Sequence, residues 1–334
     1  MVAIVLATKA TIATTATINM KNLLTILALF VLAFSAMAQQ DAQYTQFMFN
    51  KIVFNPAYAG SHEGACFSGI YRTQWVNLEG APTSQNLSFH TPFFHKRVGF
   101  GINIHHDNIG PTNIWNYAMM YAYRTKIGKG DLSFGVQGQI RDYQVNWQEV
   151  TAVHSGDVLQ GFRADSKLIP NFGFGVYYGH ENFFAGVSMP HLLNNDLTFQ
   201  FDGNIQNSDF SRERRHLFAM GGLILPVSDI IKLKPAFLVK YVANAPFDMD
   251  LHAGVIFYDR INVGATYRIG GFRGNAGESI DFVLQLLITE KLKLGLAYDY
   301  TLSDIRTFQS GTYELMLEYC LISKQRGTTN PRFF

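Results

Sequence analysis

Charge and sulfur are scarce in this chain of 334 residues: only 16% of positions are Asp, Glu, Lys or Arg, and there are two cysteines and three tryptophans. Two cysteines cannot build a disulfide framework, so the fold has to be held by other means. A typical soluble domain carries about 25% charged residues, so a heavily charged cytosolic surface is excluded as well. No acidic residue precedes position 41, and a leader carrying Lys9 and Lys21 takes the balance from 27 basic against 25 acidic residues to 25 against 25. A formal charge of zero argues against a nucleic-acid partner. Beyond Ala38 no run of 18 apolar residues occurs, which excludes a transmembrane helix.

Met20-Lys21-Asn22 precedes the apolar run Leu23 to Phe34, and Ser35-Ala36-Met37-Ala38 supplies the small residues of a signal-peptidase site. The run is too short for a membrane-spanning helix, which needs roughly 20 residues. Residues 1–38 therefore read as a polar extension plus signal peptide, with Met20 the expected start. Neither cysteine lies at the cleavage site, so lipid anchoring is not indicated.

What the chain has in abundance is aromatic residues, 28 Phe and 16 Tyr, and a two-residue alternation. Val98, Phe100, Ile102 and Ile104 alternate with Gly99, Gly101, Asn103 and His105; Tyr313, Leu315, Leu317, Tyr319 and Leu321 alternate with Glu314, Met316, Glu318 and Cys320. About fourteen such segments fill residues 65–322, and no helical period competes. Connection lengths alternate too. Short ones, such as Phe94 to Lys96 and Asp259-Arg260, follow even-numbered strands; longer ones, such as Asp142 to Ile169 and Pro190 to Arg215, follow odd-numbered strands.

These regularities predict an all-β fold: a transmembrane antiparallel up-and-down β-barrel with short periplasmic turns and long external loops, in the outer membrane of a Gram-negative cell. In lipid every backbone N–H and C=O needs an internal partner, so a sheet survives only when closed. A soluble two-sheet protein would have no reason to alternate its loop lengths. An even strand count places both termini on the periplasmic side. Tyr44, Phe47, Phe49, Tyr71, Trp75, Trp115, Tyr117, Tyr121 and Tyr123 suit interfacial girdles. The inward set is Gly-rich (Gly99, Gly101, Gly135, Gly173, Gly175, Gly254, Gly264, Gly295), which leaves room for a plug. The segment before the first strand or the two long loops could fill it.

No constellation of an enzyme emerges. Gly173-Phe174-Gly175 misses the dinucleotide spacing, Glu314 and Glu318 on one strand face are about 13 Å apart, and no serine sits in a nucleophile elbow. His105-His106-Asp107 at the outer rim lacks a further metal ligand; a rim hydrolase using His105 and Asp107 is the remaining catalytic reading. No cofactor and no metal are expected.

Asn55-Pro56-Ala57-Tyr58-Ala59-Gly60 is a rigid turned segment, with Pro56 fixing φ and Gly60 free to take positive φ. Together with Gln40 to Phe47, the Phe/Tyr-rich β-region and the ending Asn330-Pro331-Arg332-Phe333-Phe334, it resembles the PorP/SprF family of the type IX secretion system of Bacteroidetes-type bacteria. The resemblance covers essentially the whole mature chain. It implies a non-enzymatic outer-membrane barrel that assists export or surface anchoring of cargo such as gliding adhesins. The implied partners are secreted surface cargo and periplasmic ring or peptidoglycan-binding components, with Asn55 to Gly60 as the motif on the periplasmic segment 39–64. A passive outer-membrane porin is the competing reading.

Residues 323–334 form a C-terminal tail. Phe333 and Phe334 read either as the aromatic signal for barrel assembly or as a family-specific tail. Cys66 and Cys320 fall on the first and last strands, both inward and both at the periplasmic end, and either a disulfide across the closing seam or a free dithiol is compatible with that placement.

Overall fold

The structure, a computed structural model, describes residues 43–146, 165–195, 213–243, 245, 247–270 and 277–321. The signal peptide, most of both long loops and the tail bearing Phe333 and Phe334 lie outside the described residues. Fifteen strands follow in chain order: β1 Cys66–Thr73, β2 Thr83–Phe93, β3 Val98–Ile109, β4 Thr112–Ile127, β5 Gly130–Val145, β6 Asp165–Gly179, β7 Phe183–Met189, β8 His216–Leu223, β9 Leu225–Pro226, β10 Ile231–Val242, β11 Asp248–Phe257, β12 Ile261–Ile269, β13 Ser279–Leu287, β14 Leu292–Thr301 and β15 Thr312–Cys320. β8 and β9 are one stave interrupted at Ile224, and both pair with β10, so the wall has fourteen staves. Each stave pairs antiparallel with its chain neighbours, and β1 pairs with β15 from Cys66 opposite Cys320 to Thr73 opposite Tyr313. The sheet is closed and has no free edge.

The alternation seen in the sequence becomes an inside-out distribution. On β15, Leu315, Leu317 and Tyr319 are 47%, 49% and 42% exposed on the outer wall, whereas Glu314, Glu318 and Cys320 face inward at 3% or less. Lipid is the solvent that accepts such an outer face. No helix among the described residues is long and apolar enough to cross a membrane.

Two expectations are corrected. The longer connection expected after the third strand is absent: β3 ends at Ile109 and β4 begins at Thr112, so only Gly110, at φ +54°, and Pro111 join them. The hydrophobic signal fades past Ile104 because the next outward positions are His106 and Asn108, yet the ladder continues through Ile109 opposite Thr112. β4 and β5 run for 16 residues each, well beyond the 9–11 that a membrane-spanning strand needs. The second correction concerns the girdle. Tyr71, Tyr117, Tyr121 and Tyr123 are on the outer wall, but Tyr44, Phe47 and Phe49 are buried inside the barrel.

Candidate functional site

The barrel interior is filled by the chain's own residues 43–60. Two 3-10 turns, Lys51–Val53 and Pro56–Tyr58, fold this segment tightly. Asn55 starts the second in extended backbone and its side chain accepts from Ala57 N at 2.9 Å, while Pro56 supplies the preset φ of a first turn position. Tyr44, Phe47, Met48, Ile52, Phe54 and Tyr58 join Met120, Phe184, Phe218 and Met316 of the wall in one apolar cluster. Fully burying each such side chain contributes about 1.5–3 kcal/mol, so the plug is an integral core.

Glycines make the close approach possible. At Gly135 a Cβ would overlap the Ala57 backbone, at Gly175 the Asn55 amide, at Gly295 the Gln46 amide, and at Gly99 the Ala59 carbonyl. Four inward glycines on β3, β5, β6 and β14 thus form a cradle shaped to this segment. Polar groups then fix its register. Asn55 Nδ2 donates to Val176 O at 3.0 Å, Ser188 Oγ to Phe54 O at 2.7 Å, and Arg124 Nη1 to Gly60 O at 2.7 Å.

At the long-loop end an ionic belt crosses β10 to β15 and β1. Arg72 pairs with Asp299 at 2.8 Å and with Glu314 at 3.1 Å; Arg268 pairs with Asp250 at 2.8 Å and approaches Asp281 at 3.4 Å; Lys240 reaches Asp250 at 3.1 Å. The plug closes on this belt: Thr45 N and Gln46 N donate to the Glu314 carboxylate at 2.9 and 3.0 Å, and Thr45 Oγ1 donates to Asp299 at 2.7 Å. All these charges are buried and paired, and all but Asp281, whose carboxylate has only the 3.4 Å approach of Arg268, are also hydrogen-bonded, the condition under which a buried ion is tolerated. Deeper in the plug, Lys51 donates to Met48 O at 2.7 Å and its ammonium stands 4.7 Å from the Phe184 ring centroid. Burial, and after it the charge of Lys293, pushes the Lys51 amine down to about 7.

Above the plug, on the β3 to β8 side of the same end, lies a cavity of about 340 Å³. Tyr44 and Phe54 form part of its floor, and His105, Gln137, Arg141 and Glu213 are among its lining. His105 Nδ1 is hydrogen-bonded to Tyr44 Oη at 2.7 Å, and Arg141 pairs with Glu213 at 3.0 Å. His105 Nε2 lies 3.4 Å from Asp107, but Ser84 donates to that same carboxylate, so the acid stands between serine and histidine rather than behind the histidine. That order does not give a serine a base.

A family model described as type IX secretion system membrane protein PorP/SprF matches residues 36–319. The chain belongs to the PorP/SprF family. Among curated proteins none matches it significantly. Among solved structures the PorP/SprF chain is similar to the CymD monoaromatic hydrocarbon channel, at a TM-score of 0.51, 10% identity and coverage of 83% of this chain and 94% of that one. It is also similar to the Acinetobacter baumannii outer membrane protein Omp33, at a TM-score of 0.47 and 7% identity over 78% of this chain and 98% of that one. At such identities the CymD likeness speaks for the outer-membrane barrel fold alone.

In this PorP/SprF protein the six motif residues Asn55, Pro56, Ala57, Tyr58, Ala59 and Gly60 are all buried in the lumen. The expectation that they form a partner-binding surface on a periplasmic segment is therefore corrected: their polar groups are spent on β4 and β6, and their backbone rests on wall glycines. The expected placement of both chain ends on the periplasmic side falls on residues outside those described. Gln43 donates to Asp248 at the long-loop end, whereas Cys66 and Cys320 sit at the short-turn end, because the segment before β1 traverses the lumen. Cys66 and Cys320 are joined by a disulfide with a Cα separation of 4.0 Å. Arg72, Asp299 and Arg124 escaped the reading of the sequence as site residues. Their signal was available in principle, since each is a charge at an inward position of an otherwise apolar or Gly-rich strand.

Proposed function

We propose that this PorP/SprF protein is a non-enzymatic outer-membrane component of type IX secretion that assists export or surface anchoring of cargo such as adhesins. In this reading the long-loop end faces outward and meets the cargo, and the short-turn end faces the periplasm, where ring or peptidoglycan-binding components dock. The observation that carries it is a lumen occupied by residues 44–60 in a chain whose family works in secretion. A blocked pore suits a docking platform better than a conduit. Because the NPAYAG segment is inside, the docking surfaces are the turns and loops of the wall.

The test is gene deletion followed by surface proteomics. Loss of at least one large surface protein from the cell exterior, with its accumulation inside, is the expected result; an unchanged set of exported proteins would sink the reading. A passive channel is the second reading, favoured by the likeness to CymD and by the cavity above the plug. Steady conductance of the wild-type protein in planar bilayers would support that alternative, and a silent bilayer is expected here.

A further inference from the structure

The closing seam carries more sulfur and imidazole chemistry than a structural bond needs. At the short-turn end Cys66 on β1 stands in the ladder between Cys320 on β15 and His90 on β2. All three point inward, and all are buried. His62, on the stretch between plug and β1, projects onto the same spot: its ring stacks on His90 with centroids 5.0 Å apart. Ligand atoms of His62, Cys66 and Cys320 all lie within 4.8 Å of one another. His90 Nδ1 is buried and makes no hydrogen bond. Glu318 Oε1 is 3.7 Å from Cys320 Sγ and is held by Lys293 at 3.2 Å, so the acid is already engaged.

Two sulfurs and two imidazoles are the donor set of a four-coordinate site for zinc, a borderline-soft ion that takes Cys and His together. We propose that Cys66, Cys320, His62 and His90 form a metal site for a thiophilic divalent cation when the Cys66–Cys320 bond is reduced, so that disulfide and metal are alternative closures of the same seam. A dithiol of the thiol–disulfide oxidoreductase class is the reductant. It supplies two electrons and two protons, its own sulfurs becoming a disulfide, and Cys66 and Cys320 become thiols. The cation then displaces the two thiol protons to solvent, binding two thiolates and two neutral imidazoles, and no other bond is made or broken. The disulfide form has no thiolate to offer and binds no ion. Because His62 belongs to the exit of the plug, an ion held here ties plug, first strand and last strand together.

The experiment uses the full-length mature protein in detergent, reduced with a phosphine that is then removed, and titrated with Co²⁺ as a spectroscopic probe and with Zn²⁺ in competition. One equivalent per chain, with a thiolate-to-cobalt charge-transfer band that zinc abolishes, is expected from the reduced protein only. His62→Ala keeps both sulfurs and should weaken zinc binding by at least about tenfold, the scale on which even the outer partners of metal ligands act. Cys66→Ser should lose the band, and a heat-dependent gel shift reports whether that variant still closes into a barrel. A reduced protein with two alkylatable thiols that binds no ion, an affinity untouched by His62→Ala, or equal binding by the disulfide form would each overturn the proposal.

Discussion

Arg72 Nη2 stands 2.8 Å from Asp299 Oδ2, and Thr45 Oγ1 of the plug is hydrogen-bonded to both side chains, accepting from Arg72 Nη1 and donating to Asp299, at 2.8 Å in each case. Wall and plug are thus joined through one buried ion pair. Arg72→Met takes from Glu314 its charged partner, leaving it the Thr45 and Gln46 amides, and leaves Asp299 with Thr45 Oγ1 and, at 3.5 Å, Arg268. Removing one partner of a buried pair costs about 3–5 kcal/mol. The expected outcome is a clearly lower unfolding temperature on heat-shift gels, partly restored when Glu314→Gln is added; a wild-type midpoint in the single variant would refute this.

The glycine cradle gives a way to eject the plug without breaking the wall. Gly175→Val places methyl groups where the Asn55 amide and Pro56 sit, and Gly135→Val does the same to Ala57. Both variants should still close into barrels, since valine suits strands, but should conduct in planar bilayers. A cysteine introduced by Ala57→Cys should become reactive to an impermeant thiol reagent only in their presence. Gly69→Ala is the control: the position faces away from the plug, and a Cβ there meets the Leu87 side chain at 3.4 Å and Asn86 O at 4.0 Å, both ordinary contacts.

Asn55 is used at both ends of its amide. Asn55→Ala leaves Val176 O and Ala57 N without their partner, at a cost of about 1–3 kcal/mol for stranded buried groups. Asn55→Asp is the sharper test, because it keeps the acceptor for Ala57 N yet turns the donor facing Val176 O into a second oxygen. Aspartate should therefore be no better than alanine in resistance of the plug to proteolysis, and a fully rescued protein would show that only the cap matters.

Lys51 makes plug docking dependent on pH. Its amine falls from the ordinary 10.5 to about 7 when buried, so the docked state holds fewer protons than the released one. Docking is then strongest above the free value and weakens as pH falls from about 10.5 towards about 7, below which the whole penalty is felt. Protection of the Ala57→Cys thiol should decline along that path and lose most of its pH dependence in Lys51→Met. A reversed or absent slope in the parent protein would contradict the assignment.

The staves were legible because lipid leaves a strand no freedom: Leu315, Leu317 and Tyr319 outward and Glu314, Glu318 inward is the one pattern that closes without cost. The plug was legible only as one of two candidates, the segment before the first strand or the long loops. Tyr44, Phe47 and Phe49 carry the composition of an interfacial girdle, and an aromatic ring is equally at home against headgroups or packed on Met316 and Phe184. What separates the two is whether the facing wall has side chains, and the inward glycines held that information without naming the segment that would use it. The continuation of β3 past Ile104 was hidden for a simpler reason: the next outward positions, His106 and Asn108, are polar, so the apolar signature stops while the ladder goes on.

The disulfide turns the stretch from Cys66 to Cys320 into a covalent hoop, and the segment that precedes Cys66 hangs from that hoop and passes back through it. This is the topology of a lasso. The tail can retract lengthwise but cannot slip out sideways between the first and last strands, so once the sulfurs have joined, any force applied to Gln43 from the loop side is carried into the whole ring of staves rather than unzipping its seam.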